Sequence, residues 1–401
     1  MPTFFQGICV ILRLEYHIMK HFAISIPFLL TPFLCSHAQK RQAAEYFMDI
    51  PIYIDSIQAT LDYPMAWRHM KDSVSFDTWR QEARQKVMEC MGPMPPRADS
   101  WDMKLLAEEQ RNGYKAMKVE IALSRWYRVV AYILKPDGEG KHPAVNLLHD
   151  HGAHLYIGKE KMIKPIAEEP AVVEDADKWA KQIYEGQFLG DYLAQHGYVV
   201  MSIDAPLWGE RGRKEGVDRK RYDIIAGNMM MLGQNLCAYM HYDDIVSTDF
   251  LASLPYVDAN NIAAAGCSMG AYRAWMLSAL SDKVKAMCAV CWMVTTDVQL
   301  TTRYGRKENG GFANCIPALR LFLDYPDIAS LAAPKPSLFI AGDSDKLFPL
   351  DGVRKAYSIM HSVWKDAGSE SNLETHIEAQ PHECNIKNQK AILDFLDKNI
   401  K

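Results

Sequence analysis

Short runs of consecutive apolar residues, separated by longer segments with helical periodicity, constrain the fold of this chain more than any other feature. The runs lie at residues 144–148, 198–203, 262–265, 284–290 and 337–341. Near-continuous apolar strands of this kind are expected in parallel sheets covered on both faces. Candidate helices lie between or after them, at residues 188–196, 242–254, 269–280, 352–365 and 386–399. The alternation predicts a doubly wound α/β fold, with a mostly parallel sheet and helices on both of its faces.

Residues 116–401 hold this alternation and are predicted to form the main domain, which opens with a hairpin of strands at 117–123 and 127–134. Two stretches inside the domain, residues 155–185 and 292–330, lack clear periodicity and are long for structural loops. We therefore expect these two stretches to form the rims of a ligand cleft.

Residues 39–115 are predicted to form a helical N-terminal extension. Ser75 can cap a helix whose apolar side chains recur at every fourth position, at Trp79, Ala83 and Val87. Such a stripe needs an apolar surface to cover it. We expect the extension to pack on the main domain rather than to form a separate binding module.

Residues 1–38 have the features of a secretory signal peptide, with Met19 as the better start site. A basic start, a short apolar stretch and small residues ending at Ala38 predict cleavage before Gln39. Cys35 offers the alternative of a lipid anchor, although the bulky residue before it is unfavourable for such a site. The predicted location is secreted or periplasmic.

Composition and charge exclude several classes of protein. The chain is 49% hydrophobic with a net charge of −4, and it has no dense run of Lys or Arg. The chain therefore lacks the concentrated positive charge that is expected of a nucleic-acid-binding protein. No apolar stretch is long enough to predict a membrane span. Cys288 and Cys291 form a C-x-x-C pattern within an apolar strand, which favours buried core thiols over zinc ligands or a redox pair.

The sequence Gly266-Cys267-Ser268-Met269-Gly270 has the pattern G-x-S-x-G. It follows a predicted strand and precedes a predicted helix, and this context makes the pattern informative. A serine on so tight a turn is exposed above the sheet, and glycines two positions away leave room for the crowded backbone. Ser268 is therefore predicted to be a nucleophile.

A serine hydroxyl needs a base to accept its proton and an acid to orient that base. In folds of this type the acid and then the histidine follow the serine, each after a later strand. Asp345 follows the strand at 337–341, with Asp343 as its rival, and His382 follows the strand near 373–377. The predicted catalytic residues are Ser268, Asp345 and His382.

Backbone N–H groups at two loops are candidates for an oxyanion hole. One loop is the start of the helix at Met269, and the other is the turn containing Gly152 and Ala153, which follows an earlier strand. We predict Met269 and Ala153 as the donors, with Gly152 beside them.

The same turn supports an alternative reading. His149, His151 and His154 have the spacing H-x-H-x-x-H, which metal ligands could also have. A metal-dependent hydrolase would need further ligands from elsewhere, and the order of serine, acid and histidine would then be a coincidence. We predict no bound metal.

Further side chains are candidates for substrate contact: His151, His154, Trp208, Glu210, Arg211 and Trp292. Trp208 can stack on a sugar ring, or it belongs to a turn fixed by neighbouring Pro and Gly. Glu210 and Arg211 can pair and brace their loop. Trp292 can form an apolar wall of the acyl pocket, or it packs in the core. Arg273 is expected to form an ion pair within the body of the protein.

Together these segments resemble the α/β-hydrolase superfamily, nearest to bacterial enzymes similar to dienelactone hydrolases and acetyl xylan esterases. The matching parts are the His151-Gly152 loop, the loop from Asp204 to Arg211, the Ser268 turn, the Asp345 turn and His382. The resemblance covers roughly residues 115–400 and implies a catalytic domain over 116–401. Dienelactone hydrolases have a cysteine in place of Ser268, and glucuronoyl esterases usually have an arginine in place of Met269. The resemblance therefore implies neither a lactone nor a glucuronate ester as substrate.

The combined prediction is a serine esterase that removes acetyl or methyl groups from plant polysaccharides through an acyl-enzyme. No cofactor is expected, and the expected partner is a polysaccharide or oligosaccharide ester. Three alternatives stay open: a serine peptidase-like hydrolase, a metal-dependent hydrolase, and a non-catalytic binding protein on a hydrolase fold. The acyl group, the sugar and the oligomeric state are not determined by the sequence.

Overall fold

The computed structural model describes residues 55–300 and 311–401, and in these ranges nine strands form one mixed sheet. The strand order across the sheet is β1-β2-β3-β5-β4-β6-β7-β8-β9. The first three neighbouring pairs are antiparallel and the remaining five are parallel. The strands are β1 (Lys104–Arg111), β2 (Tyr114–Ala122), β3 (Arg128–Pro136), β4 (His142–Leu148), β5 (Val199–Ile203), β6 (Val257–Cys267), β7 (Val284–Val290), β8 (Ser337–Gly342) and β9 (Leu373–Glu378).

Helices connect the parallel strands and flank the sheet. Within the described ranges the α-helices include α1 (Trp67–Met70), α2 (Phe76–Met91), α3 (Pro170–Ile183), α4 (Leu189–Gln195), α5 (Arg219–Met231), α6 (Leu236–Ser253), α7 (Met269–Leu280), α8 (Thr296–Gln299), α9 (Tyr325–Ala329), α10 (Leu350–Asp366) and α11 (Ile386–Ile400). Among these residues, no helix has the length and apolar character that crossing a lipid bilayer requires.

The two faces of the sheet are covered by different helices, as the apolar runs predict. In β7, Met287 and Ala289 pack in the apolar cluster that contains α7 and α10. Ala286, Cys288 and Val290 point the other way and pack in the cluster that contains α4 and α11. A strand that is buried on both faces has no polar alternation, which explains its continuous apolar sequence. The predicted doubly wound α/β architecture is confirmed.

The N-terminal extension is only partly helical, and this corrects the prediction for residues 39–115. Helix α2 forms as predicted, with Ser75 accepting a hydrogen bond from the Thr78 N–H and with Trp79 buried against the main body. However, β1 pairs antiparallel with β2 and forms an edge of the sheet. Its sequence KLLAEEQR is mostly exposed, because backbone pairing rather than apolar burial holds this strand. The sheet therefore begins before residue 116.

Two further predictions concern the N-terminal segment and the cysteines. The signal peptide at residues 1–38, with its alternative lipid anchor at Cys35, lies outside the described residues. The two cysteines of the C-x-x-C pattern, Cys288 and Cys291, are both buried in the apolar core as thiols.

Candidate active site

Ser268 lies on the turn between β6 and α7, and its backbone has φ 54° and ψ −125°. A positive φ is uncommon for a residue with a side chain and marks local strain of the kind found at functional sites. The flanking glycines are required by close backbone approach. A Cβ at Gly270 would lie 1.9 Å from the Leu148 carbonyl oxygen, and one at Gly266 would lie 2.4 Å from the Gly270 carbonyl carbon. These contacts explain the G-x-S-x-G spacing.

The loops after β8 and β9 bring an acid and a base to this serine. Nε2 of His382 lies 2.9 Å from Oγ of Ser268, and Nδ1 of His382 lies 2.6 Å from Oδ2 of Asp345. The other carboxylate oxygen of Asp345 accepts a hydrogen bond from the Leu347 N–H at 2.8 Å. Since the carboxylate can only accept, the Nδ1–H of His382 donates to it, and Nε2 is left to accept the serine proton. Asp343, the rival acid, is exposed to solvent.

Backbone packing holds the two loops together. A Cβ at Gly342, at the end of β8, would lie 2.3 Å from the carbonyl oxygen of Gln380. The amide of Gln380 in turn donates to the carbonyl of Glu383 and to the side chain of Asn388. The segment that carries His382 is therefore fixed against the strand that precedes Asp345.

The predicted oxyanion donors need one correction. The Ala153 N–H donates to Nδ1 of His151 at 2.8 Å, so this N–H is already occupied. Gly152 lines the cavity in front of Ser268, and its N–H has no hydrogen-bond partner among the described residues. Met269 is the first residue of α7, where backbone N–H groups have no partner within the helix. Met269 and Gly152 are thus the donors that this geometry leaves available.

Asp150 holds the turn that carries Gly152. Its carboxylate accepts hydrogen bonds from the Trp179 indole at 3.0 Å, from the Tyr184 hydroxyl at 2.7 Å and from the Lys161 ammonium at 3.3 Å. Lys161 also donates to the carbonyl oxygens of Asp150 and His151 at 3.1 Å. Burial lowers the pKa of Lys161, against the opposing attraction of Asp150.

A cavity of about 360 Å³ opens in front of Ser268. Its lining comes from both predicted rim stretches, since Trp179 belongs to residues 155–185 and Trp292 to residues 292–330. Trp292 packs against Phe348 with ring centres 5.3 Å apart, and Phe348 stacks on the ring of His382 at 5.8 Å. One wall of the cavity is therefore aromatic, and Trp292 in this wall is 4% exposed and also belongs to the apolar core.

Three predicted substrate-contacting residues lie elsewhere. Trp208 is 1% exposed and packs edge-on against His151, so the stacking role on a sugar ring is wrong. Glu210 and Arg211 do not pair with each other, because each has a stronger local partner: Lys118 lies 2.6 Å from Glu210, and Asp243 lies 2.6 Å from Arg211.

These contacts make the Asp204–Arg211 loop a support behind the cavity. Its ionic core is a buried cluster in which the Lys159 ammonium lies 3.0 Å from both Glu160 and Asp204, with Glu210 at 3.5 Å. The neighbouring carboxylates raise the pKa of Lys159 against the opposing effect of burial. We call this set of four residues the buried ionic cluster.

The histidines of the H-x-H-x-x-H pattern make separate contacts. Both ring nitrogens of His149 face backbone groups, the Asp150 carbonyl oxygen and the Ala205 N–H, each at 2.9 Å. His151 bonds to Ala153, and His154 lies 2.5 Å from Asp175 and stacks on Trp179. Burial lowers the pKa of His149, so that ring is held neutral. His154 does not line the cavity, whereas His151 does.

In the described ranges, one group of three potential ligand atoms lies within 4.8 Å of one another, and it consists of Cys291, Asp345 and His382 rather than the three histidines. Both nitrogens of His382 are already hydrogen-bonded, to Asp345 and to Ser268. This set therefore fits the hydrogen-bonded relay better than a cation site. Arg273 forms the expected internal ion pair, with two hydrogen bonds to Asp244 at 2.7 and 3.1 Å.

Several residues of the cavity were not predicted from the sequence. Trp179 and Gln182 lie on α3, which begins at Pro170 and buries Val172, Ala176 and Ala180 at every fourth position. This periodic pattern was available in the sequence. By contrast, Arg219 at the start of α5 carries no local signal of its place in the cavity.

A serine on a strand-to-helix turn, hydrogen-bonded to a histidine that is in turn bonded to an aspartate on an earlier loop, defines an α/β protein with the site architecture of a hydrolase. The sequence profile of the abhydrolase family matches residues 46–396, and the chain belongs to this family.

Relatives of known name or structure are similar over most of the chain. YtaP, a predicted hydrolase of Bacillus subtilis, is 28% identical over 72% of this chain and 89% of its own length. The structure of a predicted acetyl xylan esterase from Bacteroides fragilis aligns with a TM-score of 0.65 and 18% identity, covering 84% of each chain. A glucuronoyl esterase from Solibacter usitatus aligns with a TM-score of 0.56 and 14% identity, over 81% of this chain and 93% of its own. These likenesses establish the fold.

Proposed function

We propose that this protein is a serine carboxylic-ester hydrolase in which Ser268 is the nucleophile, His382 the general base and Asp345 the residue that orients His382. The single observation that carries the proposal is the hydrogen-bonded sequence from Ser268 through His382 to Asp345, with distances of 2.9 and 2.6 Å. This arrangement allows a neutral hydroxyl to lose its proton as it attacks a carbonyl carbon.

The reaction proceeds in two halves. Oγ of Ser268 bonds to the ester carbonyl carbon while its proton passes to Nε2 of His382, and the N–H groups of Met269 and Gly152 stabilise the oxyanion. His382 then returns the proton to the departing alcohol as the ester bond breaks. In the second half, a water oxygen bonds to the acyl carbon while His382 takes a proton from that water. His382 then gives this proton to Oγ of Ser268 as the bond between Oγ and the acyl carbon breaks and the acid leaves.

Carbohydrate esters are the proposed substrates, with acetyl or methyl as the group removed. The likeness in fold to the acetyl xylan esterase and the glucuronoyl esterase supports the carbohydrate class. Met269, where glucuronoyl esterases usually have arginine, argues against a glucuronate ester. The wall formed by Trp292 and Phe348 suits the packing of a sugar ring or a small acyl group.

The chemistry is tested with purified wild type and Ser268→Ala on p-nitrophenyl acetate, acetylated xylan and methylated pectin. We expect the substitution to lower kcat by about 10⁵-fold or more. Ser253→Ala, on α6 and outside the cavity lining, is the matched control and should keep full activity. A fluorophosphonate should label the wild type and not Ser268→Ala. Loss of activity with a chelator would instead favour the metal-dependent alternative.

We also propose that the protein is secreted or periplasmic, through cleavage of the signal peptide before Gln39. Mass spectrometry of the mature N-terminus tests this proposal. A mature chain that begins at Gln39 supports it, whereas a lipid-modified Cys35 would show the anchored alternative instead.

A further inference from the structure

Arg219 brings an unpaired positive charge to the cavity that contains Ser268. It is the first residue of α5 and lines the cavity. No salt bridge or hydrogen bond to its guanidinium is present in the described parts of the chain, and its Nε is buried without a partner. The other arginines nearby behave differently: Arg211 is paired with Asp243, and Arg213 lies 3.4 Å from Glu168.

His151 contributes a second donor without a partner. Its ring is 7% exposed and lines the same cavity. The Ala153 N–H donates to Nδ1, so Nδ1 has no proton and Nε2 must carry one. That Nε2–H has no hydrogen-bond partner among the described residues. Burial, together with the positive charges of Arg219 and Lys161, lowers the pKa of His151 to about 3, which keeps this neutral form in place.

The carboxylate that also lines the cavity makes no hydrogen bond to these donors among the described residues. Asp150 accepts instead from the Trp179 indole, the Tyr184 hydroxyl and the Lys161 ammonium. A buried N–H without a partner is costly, and this applies to the Nε–H of Arg219 and to the Nε2–H of His151. A ligand that carries an acceptor group would supply the missing partner.

We propose that Arg219 and His151 form a subsite for a carboxylate group of the substrate, so that the substrate class is an ester on an acidic, uronate-containing saccharide. The substrate class rests on the proposed esterase function, whereas the carboxylate subsite is a property of the cavity alone. A guanidinium matches a carboxylate in shape and charge, and a carboxylate is the common sugar substituent that can accept from both donors at once. The subsite binds an acid group that is not the ester being cleaved.

Binding is measured first, in the Ser268→Ala variant, by calorimetric titration with glucuronate and with glucuronamide. The two probes differ only in whether the C6 group is a carboxylate or a neutral amide. We expect glucuronate to bind about 10- to 100-fold more tightly, as charge-assisted hydrogen bonds typically give. Glucuronate binding no tighter than glucuronamide, including undetectable binding of both, would overturn the proposal.

Variants then assign the preference to the two residues. Arg219→Gln in the Ser268→Ala background should bring the two affinities to within about twofold of each other, while Arg219→Lys should retain part of the difference. His151→Asn keeps an acceptor for the Ala153 N–H but removes the Nε2–H, and should weaken glucuronate binding selectively. Lys220→Gln removes an equal charge from the next, exposed position of α5 and should leave the preference intact. A preference that survives Arg219→Gln in a folded protein would overturn the assignment.

Turnover separates this proposal from the proposed function. If Ser268→Ala keeps wild-type turnover of p-nitrophenyl acetate, the esterase mechanism fails, yet the binding comparison still decides the carboxylate subsite. If Ser268→Ala is inactive and the two probes bind equally, the esterase mechanism stands and the subsite is wrong.

Discussion

Gly270→Ala tests whether the G-x-S-x-G spacing of the turn that carries Ser268 is set by backbone contact. The added Cβ would lie 1.9 Å from the Leu148 carbonyl oxygen, whereas real Cβ atoms essentially never approach closer than 3.0 Å. Since the obstacle is backbone at the end of β4, either α7 or β4 must move by about 1 Å, a displacement that typically costs about 100-fold in rate. The movement would separate the two sides of the proposed oxyanion site, because Met269 moves with α7 and Gly152 follows β4.

The assay is kcat/KM for p-nitrophenyl acetate, together with the free energy of unfolding in urea. We expect kcat/KM to fall by about 100-fold and stability to fall by about 1–3 kcal/mol, the usual cost of overpacking. Gly227→Ala is the matched control, because a Cβ there meets no atom within 4 Å and Ala favours a helix over Gly. If Gly270→Ala has the kinetics and stability of this control, the steric explanation of the motif is refuted.

Three further predictions concern charged and polar groups. Asp345→Asn should lower kcat by about 10⁴-fold with little change in KM, because an amide can hold His382 in the wrong tautomer, and steady-state kinetics checks this. Asp150→Asn should lower the free energy of unfolding by about 3 kcal/mol, because it leaves the buried Lys161 ammonium without its carboxylate; urea denaturation measures the loss, and Lys161→Met should recover part of it. His241→Leu should reduce the loss of stability on acidification. Burial, with the Arg273 charge nearby, lowers the pKa of His241 to about 3. Between pH 6.5 and 3 the unfolded chain therefore binds a proton at this residue that the folded chain does not.

The sign and size of the pH effect follow from this difference. A folded pKa below the unfolded value means that stability falls as the pH drops below about 6.5, by about 1.4 kcal/mol per unit for this one group. Urea titrations at pH 6.5 and pH 5 should therefore differ less in His241→Leu than in wild type. If His241→Leu and wild type lose stability equally between these pH values, the prediction for His241 is wrong. A Michaelis constant that rises with an unchanged kcat in Asp345→Asn would contradict the role of Asp345. An Asp150→Asn variant as stable as wild type would contradict the role of Asp150.

The parallel part of the fold was predictable because its strands are buried on both faces. The predicted strand at 284–290 and the predicted helix at 269–280 coincide with β7 and α7. Strand β1 was not predictable in the same way, because its side chains are mostly exposed and only backbone pairing holds it. Helix α3 was missed although Val172, Ala176 and Ala180 form a recognisable stripe after Pro170.

Some residues of the site could also be predicted from the sequence, and others depend on local folding that the sequence does not show. The order of Ser268, Asp345 and His382 could be predicted, because each follows a strand of a parallel sheet and strand ends meet at one edge. The N–H of Ala153 could not be excluded from the sequence, since its capture by His151 depends on a two-residue turn. The sequence predicts Trp208 to be an exposed loop residue, but neighbouring residues cover its side chain and bury it.

The buried ionic cluster also bears on the conditions that the protein can tolerate. Lys159, Glu160 and Asp204 lie out of reach of solvent. Dissolved salt screens charges in water far better than charges in the interior, so concentrated brine should leave the loops behind the cleft as ordered as dilute buffer does. Heating should not weaken the cluster either, because the free-energy cost of removing charged groups from water falls as the temperature rises. Changes in salt concentration or temperature should therefore affect the exposed entrance of the cleft more than the buried loops behind it.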